Sequence, residues 1–100
     1  MALYFALHTP TVDPVAGWEF FTREAPALAA AMAAGKMPAR ALTTWSPLGY
    51  GRTDYVFCLW EAEKPEDVMT VIRDSGLANI VATDLMQVDA IDWAELAKMG

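Results

Sequence analysis

The chain has 100 residues, of which 55% are hydrophobic and 20% charged, and its formal net charge is -6. A chain of this length forms one domain, spanning residues 1–100. Its negative charge argues against binding to nucleic acid, which needs a basic surface. The single cysteine, Cys58, excludes an intramolecular disulfide and a cysteine-rich zinc site.

No targeting or membrane signal stands out in the sequence. Residues 1–8 contain no Lys or Arg, so they do not resemble a signal peptide. The longest run of small apolar residues, 25–34, contains Pro26 and has about half of the ~20 residues that a membrane span needs. We therefore expect a cytoplasmic, soluble protein that does not bind membranes.

The first half of the chain predicts a strand, a long helix and a second strand. Residues 3–9 are an apolar, aromatic-rich run ended by Pro10, as expected of a central strand. Asp13 before a proline predicts the start of a helix reaching about residue 34, and Pro26 should kink or divide it. Residues 40–46 predict the second strand. The predicted inner stripe of the helix is Val15, Trp18, Phe21, Ala25, Leu28 and Met32.

The second half predicts a strand, a helix, a strand and a short tail helix. After a glycine- and proline-containing loop, residues 54–60 form an apolar run typical of a buried strand. Pro65 opens a helix that ends at Gly76, with Val68, Val71 and Ile72 on its inner side. Residues 80–90 predict the fourth strand, and a short C-terminal helix begins at Asp92.

The order β-α-β-β-α-β is that of an α+β, ferredoxin-like fold with a four-stranded antiparallel sheet and both helices on one face. The strands are apolar on both faces, so we expect the bare face to meet that of a second copy. Two such sheets would close into a dimeric α/β barrel with an interior cavity. On the first strand, we assign Leu3, Phe5 and Leu7 to the helices and Tyr4 and His8, with the alanine between them, to this cavity.

This layout resembles the dimeric α/β-barrel superfamily, which includes muconolactone isomerase-like proteins, cofactor-free monooxygenases, EthD-like proteins and small polyketide cyclases. The resemblance covers residues 1 to about 91. It rests on the strand at residues 3–8, the Gly35-Lys36 helix end, the strand at residues 55–60 with its acidic exit at 61–63, and the helix start at residues 65–68.

The resemblance implies a homodimer or higher homo-oligomer with a ligand cavity between helices and sheet or inside the barrel. The expected ligand is a small apolar or aromatic molecule, and the expected chemistry is cofactor-free isomerisation, cyclisation or oxygenation. Non-catalytic binding and a structural or assembly role are the alternatives, since a fold does not determine a function. The second strand offers Arg40, Thr43, Thr44 and Trp45 rather than the basic and histidine residues of an isomerase-like site, which counts against an isomerase.

Three polar residues are the candidate catalytic groups. His8 is the single histidine and titrates near neutrality, which suits a general base or a ligand-orienting donor. Arg52 could clamp an anionic oxygen, and Asp54 could act as a base or orient His8. The plain alternatives are a histidine bonded to backbone or water and a surface ion pair between Arg52 and Asp54.

Aromatic side chains are the candidate ligand contacts, although aromatics are also ordinary core and interface residues. Trp18 and Trp93 are interpreted as helix-packing anchors, and Cys58 as a buried structural thiol. One histidine, one cysteine and scattered carboxylates predict no metal site. The candidate ligand contacts are Tyr4, Trp45, Tyr50, Tyr55 and Trp60.

Overall fold

A computed structural model describes residues 1–52 and 54–100; Thr53, in the predicted polar segment before the third strand, lies outside them. The helices and strands follow the predicted order, and their bounds lie within two residues of the predicted ones. They are β1 (Ala2–Pro10), α1 (Pro14–Ala33), β2 (Ala39–Trp45), β3 (Val56–Ala62), α2 (Pro65–Asp74), β4 (Val81–Val88) and α3 (Trp93–Ala97).

The four strands form one open antiparallel sheet in the order β2-β3-β1-β4. This α+β architecture is as predicted and is compatible with a ferredoxin-like fold. β1 is central, and β2 and β4 are the edges. The register of β2 on β3 shifts between Ala41 and Thr43, so Leu42 is an extra residue in the ladder.

α1 begins and ends as its sequence predicts. The backbone N–H of Ala16 donates to the Asp13 carboxylate at 3.1 Å, and Gly35 has a φ of 72°. The helix runs without interruption through Pro26, so a division at this residue is wrong. Pro26 is exposed, and the carbonyl that loses its partner one turn earlier can be solvated by water.

The core lies between the sheet and α2. Val68, Val71 and Ile72 are buried, as predicted, against Trp60 and its neighbours on the sheet. α1 packs less closely, and Val15 is exposed rather than part of an inner stripe. Close contacts occur at two of its residues. A Cβ at Gly17 would lie 3.3 Å from Val12 Cγ2, and the Ala41 N–H donates to Met32 Sδ at 3.3 Å.

The predicted faces of β1 are reversed. Tyr4, Ala6 and His8 are buried toward the helices, whereas Leu3, Phe5 and Leu7 lie on the other side of the sheet and are half-buried. The helix side combines the small Ala6 and Cys58 with the large rings of Tyr4 and Trp60, all buried in the core with α2. Further apolar side chains lie on the side without helices. We call that side the open face; it carries Leu3, Phe5, Leu7, Trp45, Phe57, Leu59, Asp84 and Met86.

The tail helix α3 is capped but does not pack. The Asp92 side chain accepts from the backbone N–H groups of Ala94 and Glu95. Trp93 is 80% exposed, so its interpretation as a packing anchor is wrong. No helix in residues 1–52 and 54–100 is long and apolar enough to cross a membrane.

Candidate ligand-binding cavity

A cavity of about 230 Å³ lies between α1 and the sheet. Its roof is the inner side of α1, where Trp18 stacks on Phe21 with ring centroids 5.4 Å apart. The small side chain of Ala25 follows on the same side and leaves space beneath the helix. The lining from α1 combines large side chains, such as Trp18 and Leu28, with the small Ala25 and Ala29.

The cavity opens at the edge strand β2. Leu42, Thr43 and Thr44 line it and are exposed to solvent, so they mark its mouth. Its inner wall is formed by β1 and β3, the central strands. The lining residues include no Asp, Glu, Lys or Arg. The described lining is therefore apolar with a few neutral polar groups, which is typical of small-molecule sites.

His8 is a buried polar residue of the lining, 5% exposed. It lies on central β1, opposite Val56 on one side and Thr83 on the other. Its Nδ1 shares a hydrogen bond of 2.8 Å with Thr83 Oγ1. Burial lowers the pKa of His8 to about 4, so its imidazole is neutral at pH 7. His8 therefore lies on the helix side of the sheet, not on the face that was predicted to line the interior of a dimeric barrel.

Cys58 also lines the cavity and is 6% exposed. Its Sγ lies 3.1 Å from Thr44 Oγ1. Burial raises the pKa of the Cys58 thiol, and this hydrogen bond opposes the rise. The indole N–H of Trp60 lies near the same sulfur but does not meet it with hydrogen-bond geometry, and Nε1 is buried without a partner. Sulfur is a weak acceptor, which accounts for this incomplete contact.

Arg52 and Asp54 are not brought to the cavity. They form an ion pair of 2.7 Å on the surface beside the loop, and both side chains are largely exposed. An exposed pair of this kind contributes little to stability. The arrangement matches the plain alternative, and it does not place either group beside His8.

The five candidate aromatic residues are divided among four environments. Trp60 lines the cavity, and Tyr4 is buried in the core. Trp45 and Tyr55 lie on the side of the open face, half-exposed, with ring contacts to Phe5 and Phe57 respectively. Tyr50 is 90% exposed in the loop.

The sequence analysis missed the contribution of α1 to this site. Trp18, Phe21, Leu28 and Met32 were interpreted as a packing stripe, and the structure places them over the cavity. The sequence does show that these large side chains share one side of α1 with small residues such as Ala25, and this combination could have indicated a space beneath the helix. Thr83 was also missed, although a threonine that directly opposes a buried histidine is a natural partner for it.

No group of three His, Cys, Asp or Glu residues that could hold a metal ion occurs within the described ranges. Comparisons with known proteins give no further guide to the site. No protein-family model matches the chain, and no curated protein is similar to it in sequence.

Proposed function

We propose that this chain is a homodimeric protein that binds a small, largely apolar molecule in the cavity between α1 and the sheet. The observation that carries the proposal is the cavity itself, which has a mouth at β2 and, among the residues that the structure describes, a lining without charged side chains. A well-packed interior leaves few voids larger than a water molecule. A space of this size beneath a helix is therefore a feature to be explained by a ligand.

The volume bounds the size of that ligand. An apolar cavity of about 150 Å³ accommodates benzene, and the cavity here measures about 230 Å³. Pockets for drug-sized ligands begin at about 300 Å³. A molecule of about two six-membered rings fits between these limits.

The proposal of a dimer is based on the apolar side chains of the open face. Phe5 and Phe57 meet there with ring centroids 5.8 Å apart, and Trp45 and Met86 beside them are about half-exposed. Apolar surface of this extent is costly in water, at about 25 cal/mol per Å². A second copy of the same face, related by a two-fold axis, is the simplest cover for it.

The polar residues of the open face support the same arrangement. Asp84 lies on the edge strand β4 and is exposed, and Arg40 on the opposite edge is paired with Glu61 at 2.5 Å. The central strands contribute Phe5, Leu7 and other apolar side chains between these edges. An apolar centre with a polar rim is the usual composition of a protein interface.

Cofactor-free catalysis in the cavity is the alternative to binding alone. It would depend on His8, because Arg52 and Asp54 lie outside the cavity. The pKa of His8 is about 4, which makes its imidazole a weak base. Efficient general bases have pKa values near the working pH. Binding is therefore the function that the arrangement of groups favours.

Equilibrium dialysis with naphthalene tests the proposal. We expect saturable binding to the wild-type protein, one molecule per chain. Ala25→Phe places a ring in the cavity and should abolish binding, whereas Ala30→Phe, on the exposed side of the same helix, should leave it unchanged. Circular dichroism checks that both variants fold, and Ala29→Met is a milder filling variant. No saturable binding to the wild type, or equal binding by the filled variants, would refute the proposal.

A further inference from the structure

The polar groups of the cavity lie at different depths. Thr43 and Thr44 are at the mouth on edge strand β2 and face solvent, whereas His8 is on central β1 and is 5% exposed. Two strand spacings, about 10 Å in all, separate β1 from β2. A polar group at the inner end of a ligand would therefore meet His8 rather than water.

One nitrogen of His8 is left for such a group. Nδ1 is occupied by Thr83 Oγ1 at 2.8 Å, and within residues 1–52 and 54–100 Nε2 has no hydrogen-bond partner. The bond to Thr83 also fixes the orientation of the ring. A fixed polar atom in an otherwise apolar lining is the kind of group that orients a ligand and determines specificity.

Resting on the binding function proposed above, we propose that the ligand is an uncharged two-ring molecule with a hydroxyl group at its inner end, which hydrogen-bonds to Nε2 of His8. A hydroxyl group both donates and accepts, so it fits either tautomer of the ring. The assignment makes His8 the residue that determines specificity at this site.

A carboxylate is a poor substitute for the hydroxyl. The described part of the lining includes no Lys or Arg, and the imidazole is neutral at pH 7 because burial lowers the pKa of His8 to about 4. An anionic group at the inner end would be buried without a counter-charge, which is strongly unfavourable. An acid of the same shape would instead keep its charge at the mouth and gain nothing from His8.

Three probes of matched shape test this inference by equilibrium dialysis at pH 7: naphthalene, 2-naphthol and 2-naphthoate. The wild-type protein should bind 2-naphthol about 2- to 10-fold more tightly than naphthalene, which is the range expected of one net neutral hydrogen bond. It should bind 2-naphthoate no more tightly than naphthalene.

Two variants identify the residue responsible. His8→Asn keeps a polar side chain near Thr83 but has no atom in the place of Nε2, so its preference for 2-naphthol over naphthalene should disappear. Thr22→Val changes an exposed threonine of α1 that is not among the lining residues, and it should keep the preference. The ratio of the two dissociation constants within each protein cancels changes in cavity size.

The outcomes separate this inference from the function on which it rests. Naphthalene binding without a preference for 2-naphthol would overturn the inference and leave the binding function standing. A preference that survives in His8→Asn, or 2-naphthoate binding as tightly as 2-naphthol, would have the same meaning. Failure of all three probes to bind the wild-type protein would overturn both.

Discussion

Nδ1 of His8 lies 2.8 Å from Oγ1 of Thr83, and the two residues are registered partners on the antiparallel strands β1 and β4. The bond joins the one histidine of the chain, in the centre of the sheet, to a residue of an edge strand. It satisfies one ring nitrogen in a buried environment. Burial lowers the pKa of His8 to about 4, so the imidazole beside the cavity is neutral at pH 7.

The first prediction concerns the pH dependence of stability. The pKa of His8 is about 4 in the folded protein, against 6.5 for a free histidine. Between these values the unfolded chain binds the proton more strongly, so the free energy of unfolding decreases as the pH falls through this window. The loss between pH 7 and pH 5 should be about 2 kcal/mol.

Urea unfolding at the two pH values measures this effect, and His8→Asn is the matched control. The variant lacks the titrating ring, so its loss of stability over the same interval should be about 2 kcal/mol smaller than that of the wild type. Carboxylates titrate in both proteins and cancel in the comparison. Identical pH dependence in the two proteins would show that His8 is not buried as described.

The second prediction concerns the open face. Phe57→Glu places a charge between Phe5 and Tyr55, and it should convert the proposed dimer into a monomer because an unpaired buried charge is strongly unfavourable in an interface. Val15→Glu adds the same charge on α1, at a residue that is 62% exposed, and should leave the dimer intact.

Sedimentation equilibrium distinguishes the two states. Trp45→Glu, at a half-exposed residue of the same face, repeats the test in case Phe57→Glu lowers the stability of the monomer. A wild-type protein that is monomeric at micromolar concentration would contradict the dimer directly.

The third prediction compares two glycines with left-handed backbones. Gly35 and Gly76 have φ values of 72° and 84°. A Cβ at Gly35 would meet nothing within 4 Å, whereas one at Gly76 would lie 3.3 Å from Cζ of Phe20. Gly35→Ala should cost about 1 kcal/mol of stability from the backbone alone. Gly76→Ala should lower the stability by more, because the Phe20 ring must also move. Equal losses of stability for the two variants, measured by urea unfolding, would refute this packing.

The fourth prediction concerns the thiol of Cys58. The side chain is 6% exposed, and burial raises the pKa of the thiol, so the reactive thiolate is scarce at pH 7. Its reaction with a disulfide reagent should be slow in the native protein and rapid in guanidinium. Because Cys58 lines the cavity, 2-naphthol should slow the native reaction further. An unchanged rate at a saturating concentration of 2-naphthol would place the ligand elsewhere.

The order and bounds of the elements could be predicted because local signals determine them. Asp13 before Pro14 starts α1, Gly35 ends it, and Pro65 starts α2. These residues act through caps and backbone angles, which depend on sequence neighbours alone. The apolar stripe of Val68, Val71 and Ile72 is equally local, and it is buried as predicted.

The faces of β1 could not be predicted because both are apolar. Hydrophobicity favoured Leu3, Phe5 and Leu7 for the helix side, but that side instead buries Tyr4, Ala6 and His8. Packing between elements distant in sequence determined the outcome. The same reason hid the cavity, since a helical stripe looks alike whether its side chains fill the core or line a space.

The positions of Arg52 and Asp54 could not be predicted from the sequence. Arg52 was a candidate clamp for an anionic oxygen and Asp54 a candidate base or partner of His8, but the path of a loop is not encoded in residue spacing. The structure pairs them with each other on the surface. The exposure of Tyr50 and Trp93 could not be predicted from a sequence pattern either, because it depends on which side chains the rest of the chain covers.

The most direct test of the account is where a bound ligand touches the protein. Nuclear Overhauser effects from bound 2-naphthol to assigned methyl groups distinguish the two sides of the sheet. The account predicts contacts with Leu28 and Met32, which line the cavity beneath α1. Contacts with Leu7 and Leu59 on the open face instead would place the ligand between two sheets and contradict the site described for this chain.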